Sequence, residues 1–70
     1  MNEVKIDGRK LRELRTARFL DASEVAKMAR LDPWTIKRLE SGDWGGSRLR
    51  TVRKLAEALE VDPRELLEEE

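Results

Sequence analysis

The sequence predicts an all-α fold of five short helices, and three observations carry that prediction. Residues 21–42 read as two separately capped helices with almost nothing between them. Apolar residues recur at helical spacing in Leu11, Leu14 and Ala17 and again in Leu49, Val52, Leu55, Ala56 and Leu59. Asp32-Pro33 and Asp62-Pro63 each pair an N-cap with a proline, whose missing N–H costs nothing at the first helical position. The 70 residues make one domain, and so small a chain buries only about 60% of its unfolded surface.

Taken in order, Val4 and Ile6 alternate with charged residues, a short extended signal that sets residues 1–6 aside as an N-terminal arm. Asp7 caps helix one, with Ile6 as the staple before the cap. Leu11, Leu14 and Ala17 form its apolar stripe, Arg9, Lys10, Arg12, Arg15 and Arg18 cover its other sides, and Phe19 and Leu20 are expected to close into the core. Asp21 and Glu24 stand at capping-box spacing, so helix two starts at Ala22 and runs to about Ala29, burying Val25, Ala26, Met28 and Ala29. Helix three runs from Pro33 to about Ser41. Ile36 and Leu39, three apart, face the core, Lys37 and Arg38 face out, and Gly42 stops the helix in the left-handed conformation. Gly42 to Gly46 is a glycine-rich loop that holds Trp44, which either packs on the core or approaches a partner. Helix four runs from about Arg48 to Leu59. Asp62, Pro63 and Glu65 repeat the cap, proline and capping-box pattern for helix five, docked by Leu66 and Leu67, with Glu68 to Glu70 solvated.

Composition narrows the function. There is no cysteine and no histidine, which removes disulfides, thiolate metal sites, the commonest general base and the commonest zinc ligand. No glycine-rich phosphate motif is present, so neither an enzyme nor a cofactor is expected. No apolar run approaches the roughly 20 residues that cross a bilayer, and the N-terminus has no signal-peptide core, so no membrane partner and a cytoplasmic location are expected. Net charge is zero, but its distribution is not even: residues 57–70 carry seven acidic groups against Arg64, and the preceding 56 residues hold 14 basic and eight acidic groups. A basic body with an acidic end signals nucleic-acid contact or, equally, a salt-bridged solvated surface. Arg48, Arg50, Arg53 and Lys54 crowd the first half of helix four, the end where the helix dipole prefers anions, and this signals either an anionic ligand nearby or a solvated surface. A helix, a tight turn and a second helix of this size form the unit that lays one helix in a DNA major groove.

In this order and spacing, four stretches make the chain resemble the lambda-repressor-like (Cro-type, or xenobiotic-response-element type) helix-turn-helix family over roughly residues 9–67. Leu11-Arg12-Glu13-Leu14-Arg15-Thr16-Ala17-Arg18 looks like the family's first helix and Glu24-Val25-Ala26 like part of its second. Thr35-Ile36-Lys37-Arg38-Leu39-Glu40-Ser41-Gly42 looks like the end of its recognition helix. Lys54-Leu55-Ala56-Glu57-Ala58-Leu59-Glu60-Val61-Asp62-Pro63 looks like its fourth helix and the entry to its fifth.

The resemblance implies a five-helix domain that binds double-stranded DNA, usually as a homodimeric repressor on a palindromic operator. It places base reading at Pro33, Trp34, Lys37 and Arg38, and phosphate contact at Ser23, Thr35, Arg48 and Arg50, with Arg53 beside them. An arginine at position 38 can present a bidentate fork to guanine O6 and N7. A carboxylate is repelled by phosphate, so Glu40 is expected to pair internally. The chain departs from the family pattern where Ala22 stands for the glutamine many members carry, where Arg30 occupies a turn position that usually holds glycine, and at Pro33-Trp34. Trp34 has three open roles: contact with DNA, contact with a protein, or packing back on the core. Two functions from different classes therefore stand, a sequence-specific DNA-binding regulator and a protein-interaction module on the same fold that grips a toxin or phage-related partner.

Overall fold

The computed structural model describes residues 3–42 and 47–68. The expectations for Trp44, Gly45 and Gly46, for Glu69 and Glu70, and for Met1 and Asn2 lie outside the described residues. The elements are β1 (Glu3–Val4), α1 (Gly8–Ala17), α2 (Ala22–Ala29), α3 (Pro33–Ser41), β2 (Ser47–Arg48), α4 (Leu49–Leu59) and a closing 3-10 turn at Pro63–Leu66. The all-α class holds, with four α-helices among the described residues where five were expected. Asp62, Pro63 and Glu65 do start the last element, but Leu67 is already extended, at φ −94 and ψ 152. Four residues are too few for an α-helix, and the chain turns away to pair elsewhere.

The starts are built as the sequence dictates. The Asp7 carboxylate accepts from the backbone N–H groups of Arg9 and Lys10 at 3.0 and 3.2 Å. Asp21 accepts from the Glu24 N–H at 2.8 Å, and Glu24 reaches back to the Asp21 N–H at 3.0 Å. Asp32 accepts from the Trp34 N–H at 2.8 Å. Each cap of this kind is worth about 1 kcal/mol.

Three ends share one device. Phe19, Arg30 and Glu60 all lie in the left-handed region, at φ 57, 58 and 59. After each, the next N–H returns to the carbonyl five residues earlier: Leu20 to Arg15, Leu31 to Ala26 and Val61 to Ala56, at 3.0, 2.8 and 3.0 Å. Leu20, Leu31 and Val61 are themselves half-buried against the core, the apolar contact that accompanies this helix stop. Gly42 ends α3 at φ 81.

The core gathers Leu11 from α1, Val25 from α2, Ile36 from α3, Leu55 and Leu59 from α4 and Leu66 from the closing turn, all fully buried. α2 packs on both α3 and α4, and α1 packs on α3. At Gly8 a side chain would collide with the Leu39 carbonyl and lie 2.8 and 2.9 Å from the Glu40 carbonyl oxygen and Cα. The first turn of α1 therefore meets the end of α3 backbone to backbone, which only glycine allows.

Four apolar residues expected inside are outside. Phe19 is 93% exposed, because it is the left-handed residue at which the chain leaves α1. Met28 is 52% and Leu49 51% exposed. On α2, Val25, Ala26 and Ala29 already fill the buried face, and on α4 burial begins only at Val52. Ala17 is also exposed, at the last position of α1.

Residues 3–7 do more than extend. β1 pairs antiparallel with β2, Glu3 opposite Arg48 and Val4 opposite Ser47. On the other side, the Asp7 N–H donates to the Leu66 carbonyl at 2.8 Å, the Glu68 N–H donates to the Lys5 carbonyl at 3.0 Å, and Ile6 faces Leu67. The Lys10 ammonium adds a bond to the Leu67 carbonyl at 3.1 Å. The start of the chain is thus strapped between the entry to α4 and the segment after the closing turn.

Candidate nucleic-acid interface

Ile36 and Leu39 bury one face of α3 and so decide what the other face offers. Pro33, Trp34 and Lys37 are exposed, and Thr35 and Arg38 are half-buried. Trp34 is 61% exposed, which excludes its packing back on the core. The Arg38 guanidinium carbon sits 4.5 Å from the centroid of the Trp34 ring, one helical turn away. The four residues expected to read bases therefore share the outward side of one nine-residue helix.

The inner end of α3 is tied to α1 by charge. Arg15 Nε donates to Glu40 Oε2, Arg15 Nη2 to Glu40 Oε1 at 2.9 Å, and Arg15 Nη1 to the Leu20 carbonyl at 3.1 Å. Only 16% and 12% of the Arg15 and Glu40 side chains are exposed. The hydrogen bonds it donates to Glu40 hold the Arg15 guanidinium even more firmly charged than usual, against the opposing effect of its burial. Glu40 is internally paired, as expected. Arg15 is not one of the outward arginines of α1, because its fork is taken up by α3 and by the turn that follows α1.

The expected phosphate contacts fall on three elements. Thr35 is on α3 and Ser23 is exposed in the first turn of α2. There the Asp21–Glu24 box has already used two backbone donors, the N–H groups of Asp21 and Glu24. α4 differs. Arg48 at its N-cap makes no side-chain cap bond, its first turn holds no acidic residue, and Arg48, Arg50 and Arg53 are exposed. Backbone donors and cations coincide there, the arrangement that suits an anion. A shallow groove between α2 and α4, lined by Met28, Arg30, Arg53, Lys54 and Glu57, extends the basic surface. Arg30 lies on this groove, so the non-glycine residue in the turn adds a cation to it. Among the described residues no group of three acidic, histidine or cysteine side chains is placed to hold a metal ion.

A model of the helix-turn-helix domain family matches residues 8–69. The chain belongs to the helix-turn-helix family. Within it, the chain is 39% identical over 54 residues to an uncharacterized HTH-type transcriptional regulator, RghRB, of Bacillus subtilis (strain 168). That match covers 77% of this chain and 39% of the relative, so the chain spans well under half of that protein. Among solved structures, the restriction-modification controller protein C.AhdI from Aeromonas hydrophila superposes with a TM-score of 0.80 at 40% identity, over 86% of this chain and 89% of that one. A hydroxyethylphosphonate dioxygenase also matches, with a TM-score of 0.79 at 30% identity over 94% of this chain, but the match covers only 14% of the dioxygenase. The likeness to that enzyme is confined to one small helical portion. Among the described residues no helix is long and apolar enough to cross a membrane.

Two features of this helix-turn-helix domain escape a reading by sequence. The Arg15 tie needs a partner 25 residues away, for which spacing gives no signal. The Trp34–Arg38 stack does have one, the i, i+4 interval, but both residues read individually as facing a base.

Proposed function

We propose that the chain is a sequence-specific double-stranded DNA-binding transcriptional regulator, acting as a homodimeric repressor on a palindromic operator. The observation that carries this reading is the outward side of α3, where Trp34, Lys37 and Arg38 stand clear of a face pinned by Ile36 and Leu39. Membership of the helix-turn-helix family and the close likeness to a restriction-modification controller support it. In this reading α3 enters the major groove, and Pro33, Trp34, Lys37 and Arg38 face base edges. Ser23, Thr35, Arg48 and Arg50 hold the backbone, and the uncapped, arginine-rich start of α4 makes the strongest of these contacts.

Selection of bound duplexes from a randomised pool at about 50 mM salt tests the proposal, because phosphate-driven affinity falls steeply by about 200 mM. A recovered palindrome is the expected result. Arg38→Ala should then flatten the sequence preference, whereas Arg48→Ala should weaken all duplexes alike and lower the salt slope by about one. The exposure of Trp34 and Phe19 favours a second reading, a protein-binding module. Recovery of no consensus, with uniformly weak binding to every duplex, would select that one.

A further inference from the structure

The geometry points to Trp34 as a positioning residue for Arg38: its indole face packs on the guanidinium and sets the direction from which the fork meets guanine O6 and N7, so the preferred half-site carries a G·C pair opposite Arg38. This rests on the DNA reading proposed above and assigns the division of labour within it.

Three observations lead there. The Arg38 guanidinium carbon lies 4.5 Å from the ring centroid, within the range of a cation–π contact. The backbone of Trp34 is fixed, since its main-chain N–H donates to the Asp32 carboxylate at 2.8 Å and Pro33 precedes it in the first turn. The residue is nonetheless 61% exposed, so the stack stands at the surface and not in the core. A ring beneath a guanidinium occupies its face, while the five N–H donors lie along its edge. A long side chain ordinarily loses rotamer freedom when it binds, and one already stacked loses less. An indole also has no pair of hydrogen-bonding groups to match a base edge, whereas the arginine fork does. The tryptophan at a reading position is thereby explained without its touching a base.

The test is a double-mutant cycle on the selected duplex and on duplexes with each base pair changed singly. Arg38→Ala should cut the preference for guanine at one position per half-site by about fivefold to a hundredfold. Trp34→Ala should cut it at that same position by about twofold to fivefold, leave the salt slope unchanged, and have no further effect once Arg38 is alanine. Trp34→Phe should restore most of the loss. Arg38→Lys, which keeps a cation over the ring but has no planar fork, should weaken the preference for guanine and keep the salt slope. In the free protein, the δ-protons of Arg38 should be shifted upfield by the indole ring current and should return in Trp34→Ala. Additive losses, an effect of Trp34→Ala spread over every duplex, or Arg38 protons unmoved by that substitution would overturn the assignment while leaving the DNA reading intact. Failure of the wild-type chain to select any sequence would overturn both.

Discussion

Arg15 shows how one charged side chain sets the pose of the reading helix. Its fork spans both Glu40 oxygens and the Leu20 carbonyl, joining α1, the following turn and α3. Both partners are largely out of water, so removing one leaves the other charge poorly solvated. Glu40→Ala should cost about 2–3 kcal/mol, as expected for hydrogen bonds to a charged group and below the 3–5 of a completely buried pair. Arg15→Met with Glu40→Met should cost less than the sum of the two single changes, and urea unfolding of the four proteins measures this. Equal sums would mean the pair is not coupled. At the surface, Asp62 offers a pH test. The Arg64 side chain, and then the Arg64 backbone N–H, hold its carboxyl below the usual carboxylate range. A depressed folded value means the contribution is complete above about pH 3.9 and is lost as pH falls through the lower folded value. NMR titration of the Asp62 carboxyl should show that low midpoint, and Arg64→Ala should raise it. The single residues most legible in the sequence were those whose partners are local, such as Asp21 with Glu24. Arg15 reads only as one of the basic residues covering the outer sides of α1, because its partner lies on another helix.

The elements show where sequence signals are sufficient and where they stop. Helix starts were legible because a cap and its donor are two or three residues apart. Helix ends were legible in position but not always in chemistry, since three close on a left-handed residue that is not glycine. Such a residue costs roughly 1–2 kcal/mol, offset here by the apolar residue that follows it and docks on the core. Glu60→Gly should therefore stabilise the domain by about 0.5–1 kcal/mol, after allowing for the greater freedom of glycine in the unfolded chain. At this size that is a rise in Tm of roughly 2–8 °C, with DNA affinity unchanged, and a lower Tm would show that the left-handed geometry is not the cost assumed. The strap formed by residues 3–7 was legible only as a weak alternation at Val4 and Ile6. Its bonds run to residues 47–48 and 66–68, and pairing over such separations leaves no local period. Met28 and Leu49 were misplaced for a related reason: an apolar stripe gives a direction, but the neighbouring helix decides how much of its length is covered, whereas Phe19 lies outside because the chain leaves α1 at that left-handed residue. At the interface, exposure of the α3 side was legible from Ile36 and Leu39, whereas the stack on it was not.

At the scale of the molecule, size and charge decide how DNA could be engaged. The longest extent is 31 Å, and the chain carries one helix of reading type. Two half-sites on one face of B-DNA lie about 34–36 Å apart, so a single copy covers one half-site and an operator with two requires two copies. Zero net charge gives little general attraction to a polyanion, so in the proposed DNA reading affinity comes from the local concentration of Arg48, Arg50, Arg53 and Lys54 near the start of α4. Such an arrangement makes orientation on the duplex decisive, and it predicts a strict dependence on spacing. Inserting about five base pairs between the half-sites rotates the second one to the opposite face of the duplex, half of the roughly 10–10.5 base pairs in a turn. Binding should then fall to the affinity of an isolated half-site and lose its steep dependence on protein concentration, as read by a gel-shift titration. The Trp34-dependent preference for guanine within the remaining half-site should be untouched, because it is set within one copy by a stack that spans a single helical turn. Equal affinity at every spacing would mean that each copy binds alone and that the operator reading needs no dimer.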